Sequence, residues 1–343
     1  MVLESSTMEF LGSNILSIDQ FDRKDIDLVF KTADSLFPFA SRQKITRVLQ
    51  GAILSNMFFE PSTRTRISFG SAFNMLGGEV RETTEVEATS LAKGESLYDT
   101  SRVLSGYSDV IVMRHPDVGS VAEFAEASRV PVINGGDGDN EHPSQALLDL
   151  FTIKKELESH KKDIGSARIA LIGDLKYGRA VHSLCKILML YDNVSIKLVS
   201  PSKLKLPEFL VSELQKKSIS FVETSDIKKG ISDVDILYMT RIQEERFDSS
   251  SEANKYKGLM SLNQDIYTKN CEPNTVIMHP LPRDSRANAN ELDDDLNQNP
   301  NLAIYRQTDN GLLIRMALFA LILGVSDKIH ETSSSVNWFS SKS

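Results

Sequence analysis

The chain has only two cysteines among its 343 residues, Cys185 and Cys271, and neither stands at a spacing used for zinc or redox pairs. That excludes a disulfide framework and a cysteine-built structural metal, and it suits a reducing cytoplasm. Long runs of Lys or Arg are also missing. With a formal net charge of −8 and a pI near 5.4, the composition argues against a nucleic-acid or anionic-membrane surface, so any anion site must be a local cluster. The longest apolar stretch, Met316 to Val325, falls well short of the roughly 20 residues that span a bilayer. Near Met1 there is no basic region followed by an apolar core, and Glu4 and Glu9 do not suit a transit peptide, so no targeting segment is expected.

What is present is alternation. Helical and strand patterns follow one another: a helix over Arg23–Leu36, a strand over Ala52–Phe59, a helix after Thr65, a strand over Val110–Met113, a helix over Ser120–Ala127 and a strand over Pro131–Asn134. A long helix, Pro143 to Leu157, leads to a charged break at Lys161-Lys162-Asp163. A second series then begins with strands over Arg168–Ile172, Ser195–Val199, Ile219–Val222, Val234–Tyr238 and Thr275–Met278. The fold class expected is α/β: two domains, each a mainly parallel sheet flanked by helices, with the active site in the cleft between them. The first domain is expected over 1–150 and the second over 151–309. By its apolar pattern the helix over 310–325 could join either, and the expectation carried forward is that it packs on the first. The Ser-rich end, 331–343, is expected to be a loose tail.

Ser62-Thr63-Arg64-Thr65-Arg66 lies between an apolar strand and a helix, with Pro61 stopping the strand and Gly77-Gly78 closing the helix. Free helix amides, the positive end of the dipole, hydroxyls and guanidinium converge there on a small tetrahedral oxyanion, and phosphate is the natural ligand. Ser90 and Lys93 sit in a polar loop, Thr89 to Ser96, and could close over a phosphate or simply be solvated. Arg114 follows an apolar strand directly, where open α/β sheets bind ligands. His142 is held before Pro143 at a helix start, where the dipole favours the neutral imidazole that can polarise a carbonyl, and Gln145 shares its face.

In the second half Gly173-Asp174-Leu175-Lys176-Tyr177-Gly178-Arg179 has nearly the spacing of a P-loop. The Lys-Ser/Thr that would hold phosphates and magnesium is replaced by Arg179-Ala180, which disfavours a nucleotide and leaves Arg179 as a fork for a carboxylate. Arg241 and Gln243 alternate after another apolar strand and could hold a second carboxylate. His279-Pro280-Leu281-Pro282-Arg283 forms a rigid turn that offers carbonyls rather than donors, with a cis bond at Leu281-Pro282 plausible. Taken singly, Arg114, His142 and Arg179 are equally well surface or packing residues.

Together, Phe59 to Arg66, Met113-Arg114-His115-Pro116, His142-Pro143-Ser144-Gln145, Gly173 to Arg179, Thr240-Arg241-Ile242-Gln243 and His279 to Arg283 resemble the catalytic chain of the aspartate carbamoyltransferase family, in the family's order over about residues 10 to 325. The resemblance implies a first domain for carbamoyl phosphate, a second for L-aspartate, and N-carbamoyl-L-aspartate and phosphate as products, with neither cofactor nor metal. It implies that Ser62, Thr63, Arg64 and Thr65 bind the phosphate, that Thr65, Arg114 and His142 contact the carbamoyl oxygen, and that Gln145 contacts the carbamoyl amide. Arg179, Arg241 and Gln243 would hold aspartate, and the carbonyls of Leu281 and Pro282 would orient a substrate nitrogen. Ser90 and Lys93, the latter also toward aspartate, would come from the neighbouring subunit of a homotrimer, which regulatory chains could join. The groups placed at the chemistry are Arg64, Thr65, Lys93, Arg114 and His142.

Two departures stand out. Some family members space the loop Ser and Lys one residue further apart, which bears on Ser90. After Arg283 the family commonly continues Val-Asp/Asn-Glu-Ile, whereas here Asp284 to Leu292 intervenes with extra residues. An ornithine-using enzyme is disfavoured because the second half supplies arginines rather than an acidic partner, and because His279-Pro280-Leu281 lacks the Cys expected there. A catalytically silent assembly chain is disfavoured by the complete set of site residues.

Overall fold

A computed structural model describes residues 9–83, 94–286 and 289–339. The chain divides into two compact units, Met1–Leu147 with Asn310–Ser343, and Leu148–Asp309. The first unit carries a four-stranded parallel sheet in the order Glu79–Thr83, Ile53–Phe58, Val110–His115, Val132–Asp137. The second carries a five-stranded parallel sheet in the order Val276–Met278, Ile236–Met239, Arg168–Ile172, Ser195–Val199, Ser220–Thr224. Helices follow most strands, as parallel pairing requires a crossover.

The strands expected at Arg168–Ile172 and Ser195–Val199 stand at those residues. The edge strand Glu79–Thr83 was not expected. Its side chains are mostly exposed and include Glu79, Arg81 and Glu82, so it lacks the apolar run of a buried strand. Val110–His115 runs further than Val110–Met113, so Arg114 lies within the strand rather than after it. The register with Val132–Asp137 shifts between Met113 and His115, which bends the strand where Arg114 sits.

In the first unit the helix Thr63–Met75 buries Thr65, Phe69, Ala72 and Phe73, a stripe at helical spacing. Phe69 and Phe73 meet the ring of Phe319 edge-on at 5.9 and 5.0 Å, so the segment beyond Asn310 packs on this helix. Arg315 caps the contact, its guanidinium 4.9 Å over the Phe69 ring and its Nη1 donating to Ser68 Oγ at 2.8 Å. The helix ends at Gly77, where φ is +95° and a Cβ would lie 2.6 Å from Arg47 Cα, so only glycine fits. Within the stretch expected to be loose, Ser334–Ser335 pairs antiparallel with Lys44–Ile45, and Thr332 Oγ1 lies 2.8 Å from Thr46 Oγ1. Backbone pairing supplies there the order that side-chain composition does not advertise.

Strand order decides where ligands can enter. In the first sheet the chain leaves Ile53–Phe58 toward one edge and Val110–His115 toward the other. In the second it leaves Arg168–Ile172 and Ile236–Met239 in opposite directions. Each reversal opens a crevice outside the carboxyl ends of the two strands, because no crossover covers it.

Candidate functional site

At the first reversal Ile53–Phe58 runs into Glu60 and the Thr63 helix, and its last residue, Phe58, is in register with Arg114 on the neighbouring strand. Ser62 is the residue before the helix, extended at φ −159°, and its hydroxyl makes no capping hydrogen bond. Thr63 and Arg64 are exposed, while Thr65 is buried on the helix face. Arg66 does not join them. Its Nη1 pairs with Glu82 at 2.7 Å, and Asn56 Nδ2 donates both to Glu82 at 3.0 Å and to the Arg66 carbonyl at 3.1 Å, which ties the helix start to the sheet. One of the two guanidiniums of the sequence cluster is thus structural.

Arg114 is 7 % exposed. Its Nη2 lies 2.8 Å from a Glu60 carboxylate oxygen and its Nη1 donates to the Gly135 carbonyl at 3.3 Å, which fixes the planar fork at the strand end. Next to it, burial pushes the His115 imidazole below its usual pKa despite the nearby carboxylates of Asp117, Glu123 and Glu60. His142 is buried immediately before the helix Pro143–Ser159, and its carbonyl accepts from Gln145 N at 2.9 Å, setting half-buried Gln145 on the first turn. The strand exit that delivers His142 is organised by Asp137. Its buried carboxylate accepts from Gly119 N at 2.9 Å, Asn134 Nδ2 at 2.9 Å, Asn140 Nδ2 at 3.1 Å and Glu141 N at 3.1 Å. Ser90 and Lys93 lie outside the described residues.

At the second reversal a residue not singled out from sequence, Asp174, holds both loops. It is fully buried, and its carboxylate accepts from Lys176 N at 3.2 Å, Tyr177 N at 3.0 Å and Gln243 N at 3.1 Å. Burial raises its pKa, against the opposing effect of those three amides. Gly173 allows the loops to meet, since a Cβ there would stand 2.2 Å from the Thr240 carbonyl oxygen. Arg179 opens the helix Arg179–Leu188 and is half-buried. Arg241 points its fork at Glu245, with oxygens at 2.5 and 3.0 Å, and Gln243 Nε2 donates to the Arg241 carbonyl at 3.3 Å. An acidic residue just after an apolar strand and a glycine was the available sign of Asp174. Glu245, four residues after Arg241, was the sign of the ion pair.

The turn after Val276–Met278 has a cis Leu281–Pro282 bond, with Leu281 at φ +61°. Its shape is held by His279, whose Nδ1 accepts from Leu281 N at 2.8 Å and whose backbone N donates to Gln307 Oε1 at 3.0 Å. Gln307 Nε2 donates in turn to Asp149 Oδ1 at 2.7 Å, and Tyr238 OH to Asp149 Oδ2 at 2.6 Å. Burial lowers the pKa of His279, although Glu291 at 2.8 Å pulls it upward.

Sequence comparison supplies the decisive observation: residues 13–155 match the carbamoyl-P binding domain, and residues 166–322 the Asp/Orn binding domain, of aspartate/ornithine carbamoyltransferases. The chain belongs to this family. Within the carbamoyltransferases it is 65 % identical over 334 residues to the aspartate carbamoyltransferase catalytic subunit of Cellvibrio japonicus, covering 97 % of this chain and 99 % of that one. It is 46 % identical over 318 residues to the catalytic subunit of Methanosarcina barkeri, covering 93 % and 99 %. Among solved structures it resembles the Trypanosoma cruzi aspartate transcarbamoylase in complex with N-(phosphonacetyl)-L-aspartic acid, with a TM-score of 0.84 at 36 % identity over 94 % of this chain and 100 % of that one. The M. jannaschii catalytic subunit gives a TM-score of 0.83 at 40 % identity over 92 % and 99 %. Among the described residues no cluster of three or more His, Cys, Asp or Glu could hold a metal ion, and no helix is long and apolar enough to cross a membrane.

Proposed function

We infer that the chain transfers the carbamoyl group of carbamoyl phosphate to the amine of L-aspartate, giving N-carbamoyl-L-aspartate and phosphate, an early step of pyrimidine synthesis. The observation that carries the residue roles is that both sheets reverse at the strands that deliver the candidate arginines. Ser62, Thr63, Arg64 and Thr65, with the first helix amides, take the phosphate. Arg114, His142 and Thr65 face the carbamoyl oxygen, and Gln145 its amide. Arg179, Arg241 and Gln243 take the two carboxylates of aspartate, while the Leu281 and Pro282 carbonyls accept from a substrate nitrogen.

The amine nitrogen attacks the carbamoyl carbon, a C–N bond forms, and the C–O bond to phosphate breaks from a tetrahedral intermediate. Charge develops on the carbamoyl oxygen during attack. A guanidinium already fixed by Glu60 and the Gly135 carbonyl needs no reorganisation to stabilise it. The departing phosphate accepts the amine proton, since the carboxylates of the site motifs are already engaged, Glu60 by Arg114 and Asp174 by three backbone amides. Two arginine forks suit a dicarboxylate better than the cationic side chain of ornithine. Ser90 and Lys93 are assigned to the site of a neighbouring copy in a cytoplasmic homotrimer, to which regulatory chains could bind.

Purified protein given carbamoyl phosphate should make carbamoyl-aspartate with aspartate and nothing with ornithine. Binding of carbamoyl phosphate without turnover would sink the enzyme reading, and turnover of ornithine would sink the assignment of the arginines. Light scattering should return three times the chain mass, and a monomer that is fully active would refute the shared site.

A further inference from the structure

Arg286, in the stretch where the chain departs from the family pattern, is bonded to the loop that carries Arg241 and Gln243. Arg286 donates to Glu244 through Nη2 and, more loosely, through Nη1 at 3.5 Å. The same guanidinium grips Asp284 through Nη2 and through Nε at 2.9 and 3.2 Å. Lys257 Nζ lies 2.8 Å from Glu244 Oε1, the oxygen that also accepts from Arg286 Nη2. Asp284 N then donates to both oxygens of Glu291 at 3.2 and 3.3 Å, and Glu291 reaches His279, the residue that shapes the Leu281–Pro282 turn. A continuous set of polar contacts therefore runs from Glu244, next to Gln243, to the carbonyl-bearing turn.

We propose that Arg286 is a positioning residue for aspartate: by clamping Glu244 to Asp284 it fixes the Arg241–Gln243 loop against the Leu281–Pro282 turn. This rests on the assignment of Arg241 and Gln243 to aspartate made above. The loop needs such a hold. Strand Ile236–Met239 ends before it, and the contacts that tie it to the rest of the second unit include Thr240 on the Ile172 carbonyl at its start, Asp174 at Gln243 and the ion pairs of Glu244. Arg286 also lowers the pKa of Glu244, helped by Lys257, and brings that of Asp284 to about 2, so the clamp stays charged across the working range. Single exposed ion pairs contribute little, but one guanidinium shared by two carboxylates, with a lysine on one of them, forms a network. Its work is to hold geometry, and misplacement of a loop that binds substrate is costly to catalysis.

Steady-state kinetics on the full chain test this. Arg286→Ala should raise the aspartate KM by roughly fivefold and leave kcat and the carbamoyl phosphate KM within about twofold, the scale of a networked surface contact. Arg286→Lys, which keeps the charge, should recover more than half of the loss, a rescue that a merely packing role would not give. In a Glu244→Gln background Arg286→Ala should add nothing. An unchanged aspartate KM, an equal rise for both substrates, or full additivity with Glu244→Gln would each overturn the proposal. Arg241→Ala, measured in parallel, separates the two claims. If it leaves the aspartate KM unaltered, the assignment of the loop fails; if it raises the KM while Arg286→Ala does not, only the clamp fails.

Discussion

The two crevices are built by opposite means. In the first unit the candidate groups ride on regular elements: Ser62 to Thr65 on the start of a 13-residue helix, and Arg114 inside a strand, its fork locked by Glu60 and a backbone carbonyl. In the second, Arg179 opens a helix, but Arg241 and Gln243 stand on an irregular loop whose shape depends on carboxylates, Asp174 at Gln243 and Glu245 beside Arg241. Under the roles proposed above, the first would meet a small anion with groups already set by a helix start, a strand and the Glu60 pairing of Arg114. Under the same roles, a carboxylate entering the second would exchange with the Glu245 pairing of Arg241, so its binding energy would be the difference between two similar pairings.

Substitutions should expose that contrast, the largest effect coming from the preorganised side. Arg114→Ala should lower kcat by about 10²–10³, or about 2.7–4 kcal/mol, the usual loss of one donor to a developing oxyanion. A comparable fall in aspartate affinity with kcat intact would show that Arg114 does not face the reacting oxygen. Arg64→Ala should abolish saturable carbamoyl phosphate binding by calorimetry, and undiminished binding would remove the helix start from the phosphate site. On the other side, Arg241→Ala should raise the aspartate KM about ten- to a hundredfold, equivalent to about 1.5–3 kcal/mol for a charged hydrogen bond, with little change toward carbamoyl phosphate. Equal effects of Arg64→Ala and Arg241→Ala on carbamoyl phosphate affinity would erase the division of labour.

Asp174→Ala should weaken aspartate binding without touching the guanidiniums, and cost about 1–3 kcal/mol of stability by urea unfolding, because it strands buried amides. Stability with intact aspartate kinetics would mean that the two loops hold without it. The smallest effect is with pH. His279 has a folded pKa below that of the unfolded chain, so the unfolded state takes up a proton near pH 6.5 that the folded state refuses. Stability therefore falls as pH drops below about 6.5, by at most about 1.4 kcal/mol per pH unit for one proton. His279→Gln should flatten the urea midpoint between pH 7.5 and 5.5, and an unchanged slope would assign the proton to other groups such as His115.

Local pattern revealed what lies buried. Apolar runs marked the central strands, and Pro61 and Gly77 bounded the helix that follows the first of them, which placed the hydroxyl–guanidinium cluster at a helix start. The exposed edge strand Glu79–Thr83 and the paired Ser334–Ser335 were not legible, because their order comes from hydrogen bonds to a neighbouring strand and not from their own side chains. Nor could spacing separate Arg64 from Arg66, two residues apart. Only the placement of Glu82 on that edge strand turned one of them into a structural ion pair.

By itself, then, the sequence determined the α/β alternation and the family, since each depends on residues close together in the chain. Tertiary structure decided which strand ends adjoin, that Glu60 fixes the Arg114 fork, that Asp174 ties the Gln243 loop, and how the added segment at Arg286 reaches Glu244. Those partners are set by strand order and crossover direction. In the case of Asp174 and Gln243 they join residues 69 apart, a separation at which no periodicity carries information.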